Sequence, residues 1–550
     1  MAKYILRALR GVYRRIYRLS GGLELFRKTF AAIVLTALLL GGATAAFGAT
    51  PRSGGTLKVA ASSLQSLQLY KTAANDITDS QSVIFDTLFI LSKDDFKPIP
   101  SLAEKWTNPD PLTWVFSIKK GVLFHDDNPV FPKGTRREVT ADDVVYSIEF
   151  MQKTSTAYTL GPITGVKALD RYTVEITTKT PQPFLVNDPN RLCRMCIIPK
   201  EAIDKLGEDG FAKHPIGSGP YKFKSFSPDS GLLLVKNAFY RLPVYLDAVE
   251  FVVIPDPLAQ SIALQSGEID VIKHLFNLEM ADSFEKNAKF NVVKSGGGSY
   301  RGLGFNTTVA PYNNPAVRKA LSMLLDIDTA YKAIIGDHGE RAYGQVPPWV
   351  PFGYDPSLKD LWSYDPAQGL KILAANGFKD QDGDGFLDLN GKPFKIEIKT
   401  LAGSQVKALT ILATQLREKG INASVLTQDT AVWADDLLKG NTTVFFDYSF
   451  AGTTGFHSLF HGSMIGAANT HFYNNPEVNK LLDEALTKVK FDELSSLWKK
   501  AQRLVFKDTV GIPLYFEYSY AVASKKVVDF VPPWGGLTLV SSENNVWLNK

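Results

Sequence analysis

The sequence predicts an α/β architecture spread over more than one folded lobe, and three observations carry that reading. Short apolar runs at strand spacing alternate with helix starts along the whole chain. Two helices open on the same chemistry, Asn314-Pro315 and Asn475-Pro476, with an amide side chain as cap and proline in the first turn. Between two long folded stretches lies His214-Pro215-Ile216-Gly217-Ser218-Gly219-Pro220-Tyr221-Lys222-Phe223. Its prolines withhold donors and its glycines admit unusual backbone angles, so it reads as an irregular crossing from one lobe to another. A plain surface turn is the simpler alternative.

At 550 residues the chain has room for three or four ordinary domains. The net charge of +5 misleads: residues 1–50 hold eight Lys and Arg against Glu24 alone, which leaves −2 for the remainder. No case for nucleic acid or an anionic membrane follows for the body. The basic start, the apolar run Phe30–Leu40 and the small residues 41–50 read as an export signal over residues 1–49. The run is short for a membrane span of ~20 residues. No cysteine lies near the expected cleavage, so the product is expected in the periplasm as a soluble protein and not a lipoprotein. An uncleaved anchor is the alternative. Cys193 and Cys196 precede an extended stretch, which suits a small structural bridge or two partly buried thiols better than a redox pair.

In order, Thr56–Ala60 is expected as the first core strand, and Trp114–Ile118 and Tyr172–Ile176 alternate at strand period. Thr140 caps a helix whose first turn carries Asp142 and Asp143, where the helix dipole favours carboxylates. Tyr221, Phe223 and Phe226 mark a strand after the crossing. Val249–Ile254 is a buried strand, Ala259–Gly267 a short helix, and Gly267–Val271 leads into a further strand. Tyr300–Asn306 is a glycine-rich strand. Val317, Leu321, Leu324 and Leu325 then share one helix face, as do Val478, Leu481, Leu482, Ala485 and Leu486.

Several stretches together resemble the extracytoplasmic solute-binding proteins of peptide/nickel-type ABC transporters, solute-binding protein family 5. They are Pro100–Trp106, Gly121–Asp126, Val139–Ser147, Pro215–Tyr221, Gly267–Asp270, and Asn306 leading into Asn314–Leu321. The resemblance covers about residues 54–550. It implies a bilobal venus-flytrap fold of the periplasmic-binding-protein type with an extra α/β domain. Lobe I would be discontinuous (54–89, 211–299 and 508–550), the extra domain would take 90–210, and lobe III would take 300–507. It further implies capture of a small-molecule or short oligomeric solute and delivery to an ABC permease in the inner membrane. The protein is expected to be a monomer, without cofactor and without nucleic acid.

The parts of an enzyme are missing. Gly217-Ser218-Gly219 lacks the context of a nucleophile elbow, and no His-Glu-x-x-His or phosphate loop occurs. Asp380, Asp382, Asp384 and Asp388 fall at calcium-loop spacing, but Gly391 stands where the closing glutamate belongs, so a polar turn is the preferred reading. His457, His461 and His471 cluster, and His457 and His461 have the spacing of a chelating pair. With no carboxylate or thiol expected nearby to complete a site, they read as loop histidines. In peptide-binding members of the family, an aspartate after the strand equivalent to 443–448 pairs with the ligand's α-ammonium. Here residues 448–476 contain no acid. An unpaired buried ammonium is costly, so the ligand is expected not to be a classical free-amine peptide. Tyr70, Tyr300, Arg301, Tyr448, Phe450, Thr453, Thr454 and His457 are the expected ligand-binding residues, with Arg301 facing a ligand carboxylate. The alternatives are an oligopeptide or dipeptide receptor with a relocated acidic anchor, a non-transport sensor, or a periplasmic enzyme on the same fold.

Overall fold

The computed structural model describes residues 50–549 apart from 70–74, 93–96, 155, 183–184, 187–191, 276–277, 351–352, 404, 451–454, 489 and 532–535. The leader of residues 1–49 and Tyr70, Thr453 and Thr454 therefore lie outside the described residues. Strand β1 (Thr56–Ala61) is followed by α1 (Asn75–Ile84). Four antiparallel strands come next, β2 (Ala103–Asp110), β3 (Thr113–Ile118), β4 (Ile163–Asp170) and β5 (Thr173–Thr178), in spatial order β2-β3-β5-β4. Helix α2 (Ala141–Met151) sits between β3 and β4 in sequence, and α3 (Lys200–Lys213) closes this segment. Alternation is strict where one face is buried: Trp114, Phe116 and Ile118 point inward, as do Val174 and Ile176. The start of α2 is a capping box, with the Asp143 carboxylate accepting the Thr140 N–H at 2.8 Å.

The chain then adds β6 (Tyr221–Ser227), β7 (Gly231–Lys236), β8 (Ala248–Val253), α4 (Pro257–Ser266) and β9 (Val271–Ile272). The long strand β10 (Phe290–Phe305) leads to α5 (Pro315–Met323) and α6 (Ile327–Ile335). Leu324 and Leu325, expected on the first of these helices, fall in the break between the two. Next come β11 (Lys395–Leu401), α7 (Gln405–Arg417), β12 (Asn422–Gln428), α8 (Thr430–Lys439) and β13 (Val444–Phe450). The last elements used below are α9 (Gly455–Phe460), α10 (Pro476–Leu486), α11 (Phe491–Lys507) and β14 (Gly511–Ser524). Asn314 and Asn475 cap α5 and α10 as the sequence implies. Past β14, Val527–Val528 pairs with Trp547–Leu548, which returns Leu548 to within 3.0 Å of where a β-carbon on Gly55 would sit.

One eleven-stranded sheet has the order β12-β11-β13-β10-β14-β9-β1-β8-β7-β6, with a short strand, Gly339–Arg341, pairing with β14 off this path. Parallel pairing is confined to two places, β1 with β8 and β9, and β11 with β12 and β13. The antiparallel pair β10/β14 joins them. Its register slips between Gly296 and Tyr300, and Trp349 lies against that slip. A β-carbon on Gly296 would stand 2.2 Å from the indole, whose ring also meets Phe516 and Tyr518 at 5.8 and 5.5 Å. Toward the chain's start, one continuous core links Leu57 and Val249, through Phe85 and Ile216, to Phe116 and Ile176. Beyond the crossing strands, Leu303, Phe446 and Ile512 belong to another core with α5–α7, and Trp498 of α11 centres a further one with α9 and α10.

Residues 214–220 run irregularly from the end of α3 into β6. The Gly219 N–H donates to the Ile84 carbonyl at 2.9 Å. A β-carbon on Gly217 or Gly219 would lie 2.2 or 2.6 Å from that same oxygen, so only glycine permits the approach. His125 clamps the other side. The Gly217 N–H donates to Nδ1 (3.3 Å), which leaves the proton on Nε2 to be donated to the Gly219 carbonyl (3.0 Å). Asp86 completes the joint, accepting from Ser218 Oγ at 2.9 Å and Arg241 Nη1 at 2.7 Å.

Two outcomes follow. Gly219→Ala forces a backbone shift and is expected to cost about 3 kcal/mol or more, read as a fall in Tm. Burial lowers the His125 pKa from 6.5 to about 4, against the opposing pull of the Gly219 carbonyl, Asp86 and Asp126, with Lys222 nearby adding to the lowering. The unfolded chain therefore takes up this proton first as pH falls. Stability is retained above about 6.5 and declines by up to about 3 kcal/mol on going to about 4. Denaturant unfolding at pH 7 and pH 4.5 is expected to show a smaller difference in His125→Gln than in the parent chain.

Candidate functional site

In open α/β sheets, ligands are held beyond the carboxyl ends of parallel strands. This sheet has two such rims. At the first, β1 and β9 end beside α1. Asp76 accepts the Ser62 and Ser63 N–H groups at 2.8 and 3.1 Å. Asp79 is buried and bonded to Lys273 Nζ and, at 2.9 Å, to His274 Nε2. Burial alone would raise the Asp79 pKa, but Lys273 and His274 outweigh it and hold the carboxyl below its ordinary value. Arg194 adds positive potential at Lys273 and keeps a buried Nε without a hydrogen-bond partner. Sequence reasoning passed over this group, because its members lie 194 and 195 residues apart and each reads alone as an ordinary charge.

At the second rim, β13 ends beside the irregular part of β10, and Arg301 stands directly across from Tyr448. The guanidinium lies 4.3 Å from the centre of the Tyr448 ring. Arg301 Nη2 donates to Glu517 of β14 at 2.6 Å, while Nη1 is shielded from water and has no hydrogen-bond partner. Tyr448 is 56% exposed. This rim thus offers an accessible ring, a carboxylate already engaged, and a guanidinium with one donor edge unspent.

Of the sequence-derived candidates, then, Arg301 and Tyr448 are brought together. Tyr300 is a correction: it faces the other side of the sheet, is fully buried against Phe516, and its hydroxyl fills the space a side chain at Gly302 would need. Phe450 ends β13, and its side chain lies outside the description, as do Tyr70, Thr453 and Thr454. His457 is half-buried and stacks on His461, with ring centres 4.6 Å apart and planes 8° apart. The expectation that no carboxylate stands near these histidines is overturned, since Asp483 of α10 approaches His461 Nε2 to 3.2 Å. His471 leaves the cluster altogether. It is enclosed between Phe445 and Phe460, 3.3 Å from buried Asp447.

The acidic loop is built as a turn. Asp380 accepts the Gly383 and Gly385 N–H groups, Asp382 that of Asp384, Asp384 that of Phe386, and Asp388 that of Gln381. Asp380, Asp382 and Asp384 still bring their oxygens within 4.8 Å of one another, whereas Asp388 stands apart from that group and is buried. Ser218, in the Gly-Ser-Gly stretch, is buried and spends its hydroxyl on Asp86. Cys196 is buried; the Cys193 side chain lies outside the description. A cavity of about 320 Å³ lies at the joint, lined by Asp86, Lys119, Tyr240, Arg241 and Ser541, and it shares no residue with either rim.

Comparison with known proteins agrees with this architecture. The model of a family described as bacterial extracellular solute-binding proteins, family 5 middle, matches residues 97–470. The chain is 28% identical over 491 residues to the oligopeptide-binding protein AppA of Bacillus subtilis, covering 85% of this chain and 87% of that one. It is also 28% identical to the glutathione-binding protein GsiB of Pectobacterium atrosepticum, covering 90% and 95%. Among solved structures, the periplasmic binding protein DppA of Helicobacter pylori in complex with the peptide STSA superposes with a TM-score of 0.70 at 26% identity, over 91% of this chain and 99% of that one.

Replacing Lys273 by Met strips Asp79 of its main counter-charge in a buried setting. The expected cost is about 3–5 kcal/mol, well beyond a surface charge loss. Thermal melts that leave Lys273→Met within about 1 °C of the parent chain would show that the pair does not hold this rim.

Proposed function

This chain belongs to family 5 of the bacterial extracellular solute-binding proteins and is the substrate-binding component of an ABC transporter, and from that premise we propose how it takes its solute. The solute bridges the two rims and selects a closed arrangement of the lobes, with bending at the glycine-rich slip between β10 and β14. In this reading the chain works in the periplasm once residues 1–49 are removed. Residues 54–89, 211–299 and 508–550 form one lobe, 90–210 the extra domain and 300–507 the other lobe. The closed form, as a monomer, docks on the membrane permease, and no bond of the solute is broken.

The observation that carries the solute reading is the unspent edge of Arg301 beside Tyr448. A solute carboxylate fits there, its oxygen taking Nη1 while an apolar or ring portion rests on the tyrosine. No free carboxylate stands at this rim among the described residues to receive an α-ammonium. Asp447 is buried beside His471, and Glu517 is held by Arg301. The solute is therefore read as an acid without a classical free-amine anchor. The second reading, a peptide receptor with a relocated acid, draws on Glu517 itself and on relatives whose names specify oligopeptides. Relatives equally similar to this chain are named for oligopeptide and for glutathione.

Mass spectrometry of the solute released on mild denaturation is the decisive experiment, with recovery of a non-peptidic or amine-blocked acid expected. Peptides with free N-termini would refute the reading. With the released solute in hand, Arg301→Met is expected to weaken binding about 10- to 100-fold, the loss of one charge-assisted hydrogen bond. Tyr448→Ala is expected to weaken it less and to leave Tm nearly unchanged. Small-angle scattering should contract on adding that solute; turnover of the solute would instead indicate an enzyme.

A further inference from the structure

We propose that His457, His461 and Asp483 form a binding site for a borderline divalent cation of the Zn²⁺ type. The two histidines are one helical turn apart. The His461 N–H donates to the His457 carbonyl at 2.9 Å, so the turn of α9 carries through and both imidazoles share one face. Asp483 reaches the same point from α10. One donor atom from each residue lies within 4.8 Å of the others. A tetrahedral ion with bonds of about 2.0–2.1 Å sets its donors roughly 3.3 Å apart. The His461–Asp483 approach of 3.2 Å already has that spacing, and a small rotation of His457 supplies the third ligand.

An ordinary histidine–carboxylate bond explains the cluster less well. His461 Nε2 is shielded from water and makes no aligned hydrogen bond, even with Asp483 so near.

Ser463 fits the role of orienting group. The His461 Nδ1 accepts the Ser463 N–H at 3.1 Å and lies 2.6 Å from Ser463 Oγ. When Nε2 takes the ion, the ring proton moves to Nδ1, which gives up the bond from the Ser463 N–H and donates to Ser463 Oγ instead, so the neutral ring keeps a lone pair for the metal. Asp483 is 66% exposed on its side chain, so water reaches the fourth position. The acid is 22 residues beyond His461 in sequence and on another helix, which hides the set from any spacing rule. The ion would tie α9 to α10 just after the segment that follows β13. This site uses neither Arg301 nor Tyr448 and does not depend on what the solute is.

The test uses the full mature chain, freed of metal by a chelator and titrated with Zn²⁺ against a chromophoric competitor at pH 7.5. One equivalent is expected to bind, with His457→Ala and Asp483→Asn each weakening it at least tenfold and Asp380→Asn leaving it unchanged. His461→Ala also removes a cap, so the exposed Asp483→Asn, checked by its melting curve, is the variant that decides. Co²⁺ in place of Zn²⁺ should give the intense visible bands of a four-coordinate site, absent in Asp483→Asn. Zinc binding that Asp483→Asn leaves intact, no binding at one equivalent, or only a weak six-coordinate cobalt spectrum overturns the proposal.

Discussion

The pressing of a bare backbone onto the end of α1 is the constraint from which the molecule's layout follows. Gly217 and Gly219 bring their α-carbons against the Ile84 carbonyl at a distance no side chain tolerates. His125 and Asp86 then saturate the polar groups this close approach would otherwise strand. The cost of an unpaired buried group is about 1–3 kcal/mol. Each partner in the joint is therefore present because another is. The joint fixes where β6 begins, and through β7 and β8 it fixes β1, whose carboxyl end forms one rim of the candidate site. One core continues from Leu57 into Phe116 without interruption.

The link between the two halves of the sheet is narrow. β10 and β14 carry the pairing between β13 and β9, and their register shifts twice, between Gly296 and Tyr300 and between Arg301 and Gly302. Trp349 fills the space above the slip, against Gly296, Phe516 and Tyr518. A contact surface of rings can slide with little loss of packing, whereas the ladders on either side cannot. The proposed bending falls where the register shifts.

Where local chemistry decides the structure, the sequence was readable. Asn314-Pro315 and Asn475-Pro476 open helices because a short amide caps and a proline lacks the donor that would go unused. Thr140 and Asp143 box a helix start for the same reason. The irregular run before β6 was readable because two glycines between prolines suit little else. The site was only half readable. Arg301 meets Glu517 across 216 residues, Lys273 meets Asp79 across 194, and neither partnership leaves a trace in spacing. Tyr300 was misjudged because strand alternation tells that neighbours face opposite ways, not which of the two faces in. Gly302, which clears room for its hydroxyl, was the available sign.

The return of Leu548 to Gly55 has a practical corollary. Residues that lie almost five hundred positions apart along the chain are spatial neighbours, so a short linker could join them without disturbing either strand. New ends could then be opened in an exposed turn such as Gly383–Gly385, and a circularly permuted chain would keep every pairing of the central sheet. Fluorophores fused to those ends would ride on one jaw while the closed seam stays on the other, which turns the fold into a ready frame for a reagentless optical sensor.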